Sequence, residues 1–367
     1  MTHRRAAIPV VTGGLLLTAL LWWAGASAHA LNLPGAVDVL GSRAAAELQV
    51  WLTPWAYDPP ARDLTGVTAT GGADYLTLYR TGLQIRFAAV FVFFVPGALL
   101  LLRRLPPVHG RRTAALLAVW AWGMVAGTLA VTVSAPWLIA SYGHGSYRVL
   151  PQLASLITTG REATAVASLF AAAVTVLVAR VTAEDADPLP QAVVPARTGR
   201  LAATVGTAVI AVSLVVLSYQ SVAAAIQTYS PGIGLLSEPG ELLRQWLLLG
   251  AWTAPVGGMS ADWLLARAAD VLLLVVVWWL LRRLPVLLTR ATFPAMALGA
   301  VCATVLGLVA SQLLRLALDG SGLQWPPLFL SAGLVVGTPA ALTFGLTAGV
   351  AAAAVLRIAE RHATKGV

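Results

Sequence analysis

The chain has 367 residues, of which 58% are hydrophobic and 11% are charged, and its mean hydropathy is +0.80. Soluble domains carry about a quarter charged residues, so this composition excludes an ordinary soluble protein and predicts an all-α, polytopic integral membrane protein. The formal net charge of +9 does not indicate nucleic-acid binding, because the basic residues lie in short clusters between apolar runs and do not form one stripe.

Eight apolar segments are long enough to cross the hydrocarbon core, which requires about 20 helical residues. We predict spans at 8–30, 83–102, 113–136, 162–180, 201–221, 263–281, 292–315 and 329–356. The first segment can also be read as a signal peptide, because "ASAHA" before Leu31 resembles a cleavage site. We expect it to be retained, since the corresponding fifth span lies inside the chain and cannot be removed.

The distribution of charge predicts the orientation of these spans. Fifteen of the 24 basic residues fall in one set of alternating connections, whereas 11 of the 15 acidic residues fall in the other. Basic residues concentrate on the cytoplasmic side of membrane proteins. We therefore expect both termini in the cytoplasm of a cell with a bacterial-type plasma membrane. The predicted inner residues are Arg4, Arg5, Arg103, Arg104, Arg111, Arg112, Arg180, Arg197, Arg200, Arg282, Arg283, Arg290, Arg357, Arg361 and Lys365.

A repeated motif indicates an internal duplication. The stretch "LLRRLP" occurs at Leu101–Pro106 and again 179 positions later, each time after a long apolar run. Similarly, "TTGREATAVASLFAAAVTVLVAR" and "VVGTPAALTFGLTAGVAAAAVLR" align at an offset of 177. Because four spans are an even number, two such units enter the membrane with the same orientation. We predict a parallel four-plus-four arrangement, with a first half at 1–182, a cytoplasmic linker at 183–200 and a second half at 201–367.

The predicted outer loops are long, especially the first one at 31–82. Two stretches in these loops, 39–52 and 235–250, are typical of helices that lie along the membrane surface. Their tryptophans are expected to anchor at the level of the lipid headgroups, with ligand stacking as the alternative. These tryptophans are Trp51, Trp55, Trp246 and Trp252.

Small residues and one proline predict details of the helix packing. Spacings of the type G-x-x-x-G, which allow helices to approach closely, occur at Gly123/Gly127, Gly333/Gly337 and Gly345/Gly349. Pro339 is expected to kink or break the last span. The single cysteine, Cys302, lies in an apolar run and is expected to be a buried, unreactive thiol.

Charged residues near the outer ends of four spans form the candidate binding site. Only eleven uncharged residues separate Asp270 from Arg282, so the sixth span needs Arg267 and Asp270 within the membrane, three residues apart on one helical face. Ionisable residues within a membrane indicate a functional site, although arginines that extend to the interface explain the pattern equally well. The predicted outer-leaflet pocket would receive an anionic group such as a lipid headgroup. Its candidate residues are Arg86, Arg161, Glu162, Arg267, Asp270 and Arg315.

The function remains open between three alternatives. The first is a transport or lipid-translocation component, and the second is a non-catalytic membrane subunit or scaffold of a larger complex. The third is a membrane enzyme that acts on lipid-linked substrates at the outer face.

The sequence contains no phosphate-binding loop motif, no zinc-binding H-E-x-x-H motif and no G-x-S-x-G motif of a nucleophilic serine. We therefore predict no catalytic residue, metal or cofactor. The expected partners are the lipid bilayer and other membrane subunits or further copies of the chain. The carboxylates considered for the enzyme are Asp38, Glu47, Asp58, Asp63 and Glu241.

Overall fold

The structure is a computed structural model, and it describes residues 3–31, 33, 35–57, 72–106, 111–141, 148–182, 195–234, 237–249, 261–318 and 336–365. These residues form helices and connecting turns, and no strand occurs among them. The α-helices are α1 (His3–Ala30), α2 (Ala36–Leu40), α3 (Ser42–Leu52), α4 (Gly72–Arg104), α5 (Arg112–Ser141), α6 (Val149–Ile157), α7 (Arg161–Val181), α8 (Ala196–Ser218), α9 (Gln220–Thr228), α10 (Gly240–Leu247), α11 (Ala261–Leu287), α12 (Phe293–Leu318) and α13 (Thr338–Lys365), and a 3-10 turn covers Thr53–Trp55.

Eight of these helices have the length and apolar composition needed to cross a membrane, as expected for a multi-pass membrane protein. The last span differs most from its prediction, because α13 begins at Thr338 and not at residue 329. Pro339 therefore lies in the first turn of α13, where a proline is tolerated, and not at a kink within the span. The apolar segments are Ala6–Ala28, Leu76–Arg104, Arg112–Ser141, Arg161–Val181, Ala196–Ser218, Trp263–Leu287, Phe293–Leu318 and Thr338–His362.

The spanning helices form two groups of four with the same pattern of neighbours. In the first group, α1 and α5 each contact both α4 and α7. In the second group, α8 and α12 each contact both α11 and α13. The two groups meet mainly where α12 lies against α5. There the buried thiol of Cys302 donates a hydrogen bond to the carbonyl of Ala118 at 3.3 Å, so the expectation of a buried cysteine is confirmed.

Glycine pairs lie at close helix contacts in both groups, as their spacing predicts. Gly123 and Gly127 of α5 face Ser168 and Thr164 of α7, at positions where a Cβ atom would overlap those side chains. In the second group the pair α12 and α13 corresponds to α5 and α7. There the glycine pair lies on α13, the counterpart of α7, and not on α12. Gly345 and Gly349 of α13 face the backbone of α12, and the nearest residues are Val301, Ala297 and Met296. Gly333 lies outside the described residues.

Each group has a further glycine at a close helix contact, and the two contacts occupy equivalent positions. Gly13 of α1 lies against the carbonyl of Ala171 and the side chain of Thr175 in α7. In the second group, Gly206 of α8 lies against the two residues of α13 found 177 positions further along, Ala348 and Ala352. The offset that aligns the two sequence stretches therefore also relates contacts in space.

The two "LLRRLP" stretches lie on the same side of the protein and adjoin each other. In each stretch the second and third leucines and the proline are buried, whereas the two arginines are partly or fully exposed. The backbone N–H of Thr289 donates to the carbonyl of Arg104 at 2.8 Å. The guanidinium of Arg111 donates to the carbonyl of Val286 at 3.1 Å. These hydrogen bonds connect the ends of the two groups of helices.

The prediction that the loop tryptophans anchor at the level of the lipid headgroups is wrong for two of them. Helices α3 and α10 form within the predicted surface segments, but Trp55 is 0% exposed and Trp51 is 8% exposed. These two rings are therefore buried within the protein and do not anchor in the headgroup region, and the turn after α3 places Trp55 beside Arg86 of α4 and Gly160 before α7. Trp246 donates from its indole N–H to the hydroxyl of Thr343 at 2.9 Å, and Trp252 lies outside the described residues. The short helices α6 and α9 were not predicted.

Candidate functional site

Asp270 lies between two arginines from neighbouring spans. Its carboxylate is 3.1 Å from the guanidinium of Arg267, which is one turn earlier on α11. Its other oxygen accepts a hydrogen bond from Arg315 of α12 at 3.2 Å. The pairing of Arg267 with Asp270 follows from their spacing of three residues, whereas the pairing with Arg315 follows from the packing of α11 against α12.

The Asp270 cluster, which we define as Arg267, Asp270 and Arg315, is only partly buried. The exposed fractions of these three side chains are 37%, 16% and 24%. All three residues lie within the segments long and apolar enough to span the membrane. Removing a charge from water is costly unless it is paired, and here the carboxylate offsets that cost for the arginines. The cluster therefore combines stable charge pairing with access from outside the protein.

Arg86 is the most deeply buried charged candidate and is only 1% exposed. Its Nε donates to the hydroxyl of Ser134 on α5 at 2.9 Å, and its Nη1 donates to the carbonyl of Pro54. The guanidinium also lies over the ring of Trp55, 5.6 Å from its centroid. Arg86 thus holds the turn that follows α3 against α4 and α5.

Trp55 connects Arg86 with the start of α7. Its indole N–H donates to the carbonyl of Gly160 at 3.2 Å. Gly160 precedes α7 and has φ +68°, a left-handed conformation that glycine adopts readily. Arg161 and Glu162 follow directly in the first turn of α7, and both side chains are half-buried. Arg161 also borders a narrow cavity between α5 and α7 that is lined by Gly127, Thr128 and Thr164.

The six predicted residues therefore occupy two clusters in the structure. Arg267, Asp270 and Arg315 form the Asp270 cluster of the second group. In the first group, Arg86 lies over Trp55, and Arg161 and Glu162 follow Gly160, whose carbonyl accepts a hydrogen bond from Trp55; we call Arg86, Arg161 and Glu162 the Trp55 cluster. Sequence reasoning missed the partners that organise the Trp55 cluster, namely Pro54, Trp55 and Ser134. The one available signal was the high aromatic content of the loop before α4.

Two of the carboxylates considered for an enzyme, Glu47 and Glu241, lie in ion pairs, whereas Asp38 is exposed on α2. Glu47 lies 3.6 Å from Arg43 on α3, and Glu241 lies 2.9 Å from Arg244 on α10. Burial raises the pKa of Glu241, but hydrogen bonds from Arg244 and Gln245 and the charge of Arg244 outweigh it and leave the pKa below its ordinary value. A carboxylate with a lowered pKa is a weak general base at neutral pH. Asp58 and Asp63 lie outside the described residues.

Within the described part of the chain, no group of three or more histidine, cysteine or acidic side chains is arranged to hold a metal ion. Comparisons of the chain with protein-family models, with curated proteins and with solved structures find no match. A function is therefore best argued from the two charged clusters themselves.

Proposed function

We propose that the protein is a transport or lipid-translocation component of a bacterial-type plasma membrane, with an outward-facing polar pocket that receives an anionic group. The observation that carries this proposal is the position of Asp270 between arginines of two adjacent membrane-length helices. Ionisable groups in such segments are costly, and they are commonly retained for binding or translocation.

The geometry supports exchange of the carboxylate for an incoming anion. A phosphate group can pair with both guanidinium groups, as Asp270 does here with Arg267 and Arg315. The Nε atom of Arg267 is buried and has no hydrogen-bond partner among the described residues, and the same holds for the Nε atom of Arg161 in the Trp55 cluster. Each cluster therefore has donor capacity that an anionic ligand can use.

Lipid translocation by the purified protein tests this proposal. We expect proteoliposomes that contain the protein to move fluorescent phosphatidylglycerol between leaflets, as measured by quenching with dithionite. The neutral triple variant Arg267→Gln, Asp270→Asn, Arg315→Gln is expected to slow this movement about tenfold or more, because a hydrogen bond to a charged group contributes about 1.5–3 kcal/mol.

The matched control neutralises an exposed pair, Arg148 and Glu238, whose side chains are 70% and 40% exposed and lie 3.3 Å apart. The variant Arg148→Gln, Glu238→Gln is expected to translocate at the normal rate, because exposed pairs contribute little. Normal translocation by the neutral triple variant at normal protein levels would show that the Asp270 cluster is only structural.

A non-catalytic subunit or scaffold is the second candidate, and the uneven burial of the spans favours it. In α8 and α11, 22% and 28% of the residues in the apolar window are buried, compared with 72% in α12. The exposed side chains of α8 include Val212, Val215 and Val216, which share one helical face. Absence of translocation by the purified protein alone, together with stable association with a second membrane protein, would favour this candidate.

We also infer that the halves 1–182 and 201–367 are a parallel duplication of a four-span unit, with both termini and the linker at 183–200 in the cytoplasm. The equivalent contacts of Gly13 and Gly206 support this inference, as does the shared pattern of neighbouring helices. An approximately twofold axis along the membrane normal then relates the halves.

Reporter fusions test this orientation. Fusions after Arg112, Arg200, Arg290 and Val367 are expected to report a cytoplasmic location, because the inner connections carry fifteen of the 24 basic residues. Fusions near Gly71 and Gly257 are expected to report the exterior. A C-terminus on the opposite side from the N-terminus is incompatible with eight spans, and a linker on the opposite side from both termini is incompatible with a parallel duplication.

A further inference from the structure

A groove between α1 and α4 lies outside both charged clusters. It has a volume of about 540 Å³ and is lined by Trp22 of α1, Tyr57 after the 3-10 turn, and four residues of α4. The α4 residues are spaced as one face of a helix, and they are Arg80, Leu83, Gln84 and Phe87.

The walls of the groove are mainly aromatic. The ring of Tyr57 stacks on Phe87 and meets Trp22 edge-on, each with 5.8 Å between ring centroids. Trp22 is 53% exposed, so its ring forms a wall that remains accessible from outside the protein. Such a wall suits an acyl or isoprenoid chain, because it removes apolar surface of the ligand from water.

Two polar side chains of the groove, those of Arg80 and Tyr57, carry hydrogen-bond donors. Arg80 is exposed, and none of the described residues that line the groove is acidic. The hydroxyl of Tyr57 is buried and has no hydrogen-bond partner among the described residues. A phenol is protonated at neutral pH and can donate, and burial raises the pKa of Tyr57 further above its ordinary value. The groove therefore offers positive charge and a donor beside an apolar surface.

The depth of the groove matches the boundary between lipid headgroups and acyl chains. Trp22 lies six residues before the end of the first apolar segment at Ala28, and Arg80 lies four residues after the start of the second segment at Leu76. Arginine and tryptophan are both favoured at this depth, where one end of a ligand is wet and the other is apolar.

We propose that this groove binds an anionic lipid, with the phosphate of the headgroup at Arg80 and the adjoining chain against Trp22, Leu83 and Phe87. Charge complementarity selects an anionic headgroup over a zwitterionic one, and the aromatic walls select a lipid over a free anion. The proposal does not rest on translocation, since the groove and the Asp270 cluster are formed by different helices.

Lipid binding by the full-length protein in detergent tests this proposal, with native mass spectrometry measuring the dissociation constants of phosphatidylglycerol and phosphatidylcholine. The variant Arg80→Gln is expected to weaken phosphatidylglycerol binding about tenfold, which corresponds to about 1.4 kcal/mol. Phosphatidylcholine is expected to bind the unchanged protein more weakly and to lose less affinity on this substitution, because its choline ammonium offsets part of the attraction between its phosphate and Arg80. Trp22→Leu is expected to weaken both lipids, because it removes part of the aromatic wall.

The matched control is Arg43→Gln, which removes an arginine on α3 whose side chain is 67% exposed and which does not line the groove. Normal phosphatidylglycerol binding by this variant supports the proposal, whereas weakening equal to that of Arg80→Gln would assign the effect to overall surface charge. Inorganic phosphate at millimolar concentration is expected not to displace the lipid. Displacement by phosphate would overturn lipid recognition, and unchanged phosphatidylglycerol binding by folded Arg80→Gln would overturn the site.

Discussion

Replacing Asp270 with alanine is expected to lower the free energy of unfolding by about 2–3 kcal/mol, because two partly buried arginines within membrane-length helices then lose their carboxylate. Asp270 bonds to Arg267 at 3.1 Å and to Arg315 at 3.2 Å, so one substitution breaks contacts both within α11 and between α11 and α12. The loss is measured by denaturant unfolding of the purified protein in detergent.

Two further variants separate charge pairing from packing. The neutral triple variant Arg267→Gln, Asp270→Asn, Arg315→Gln is expected to be less destabilised than Asp270→Ala, because it leaves no unpaired charge. Glu241→Ala is the matched control outside the spans, and it removes a carboxylate paired with Arg244 at 2.9 Å. That pair is about one-third exposed, so a loss below about 1 kcal/mol is expected. Equal losses for Asp270→Ala and Glu241→Ala would contradict the prediction.

Replacing Gly349 with alanine is expected to destabilise the second group of helices by about 1–3 kcal/mol through overpacking. A Cβ atom at this position would lie 2.5 Å from the Cα of Ala297 and 2.6 Å from the carbonyl oxygen of Met296. Both are backbone atoms of α12, so a change of side-chain rotamer cannot relieve the overlap. Unfolding in detergent gives the stability, and a cysteine cross-link between α12 and α13 reports their separation.

The matched control is Gly199→Ala in α8, where an added Cβ atom meets nothing within 4 Å. Alanine is favoured over glycine within helices by about 1 kcal/mol, so this variant is expected to be as stable as the unchanged protein or slightly more stable. If Gly349→Ala behaves in the same way, the close approach of α13 to α12 is not required for stability.

The number of spans was predictable because crossing a membrane imposes a local requirement. Each span needs about 20 apolar residues in a row, and that property is visible without knowledge of any neighbour. The ends of the spans were less predictable. The last span was placed from residue 329, and α13 begins at Thr338, because hydropathy measures apolar character and does not locate the first helical turn.

The candidate site was predictable only where its contacts are local. Arg267 and Asp270 are three residues apart, so the helical repeat was sufficient to predict their pairing. The second partner of Asp270, Arg315, is 45 residues away, and its contact depends on how α12 packs against α11. In the same way, no sequence pattern related Arg86 to Ser134, which is 48 residues further along the chain.

The sequence by itself determined eight helices of membrane-spanning length, their pattern of charge and the close contacts of two glycine pairs, since each depends on composition or short-range spacing. Only the tertiary structure decided that Trp55 turns inward, that the six charged candidates form two clusters and that Arg80 shares a groove with Trp22. These features depend on contacts between residues far apart in the chain. Apolar faces that look alike in sequence become a core, a groove or a lipid-facing surface according to which helices pack against them.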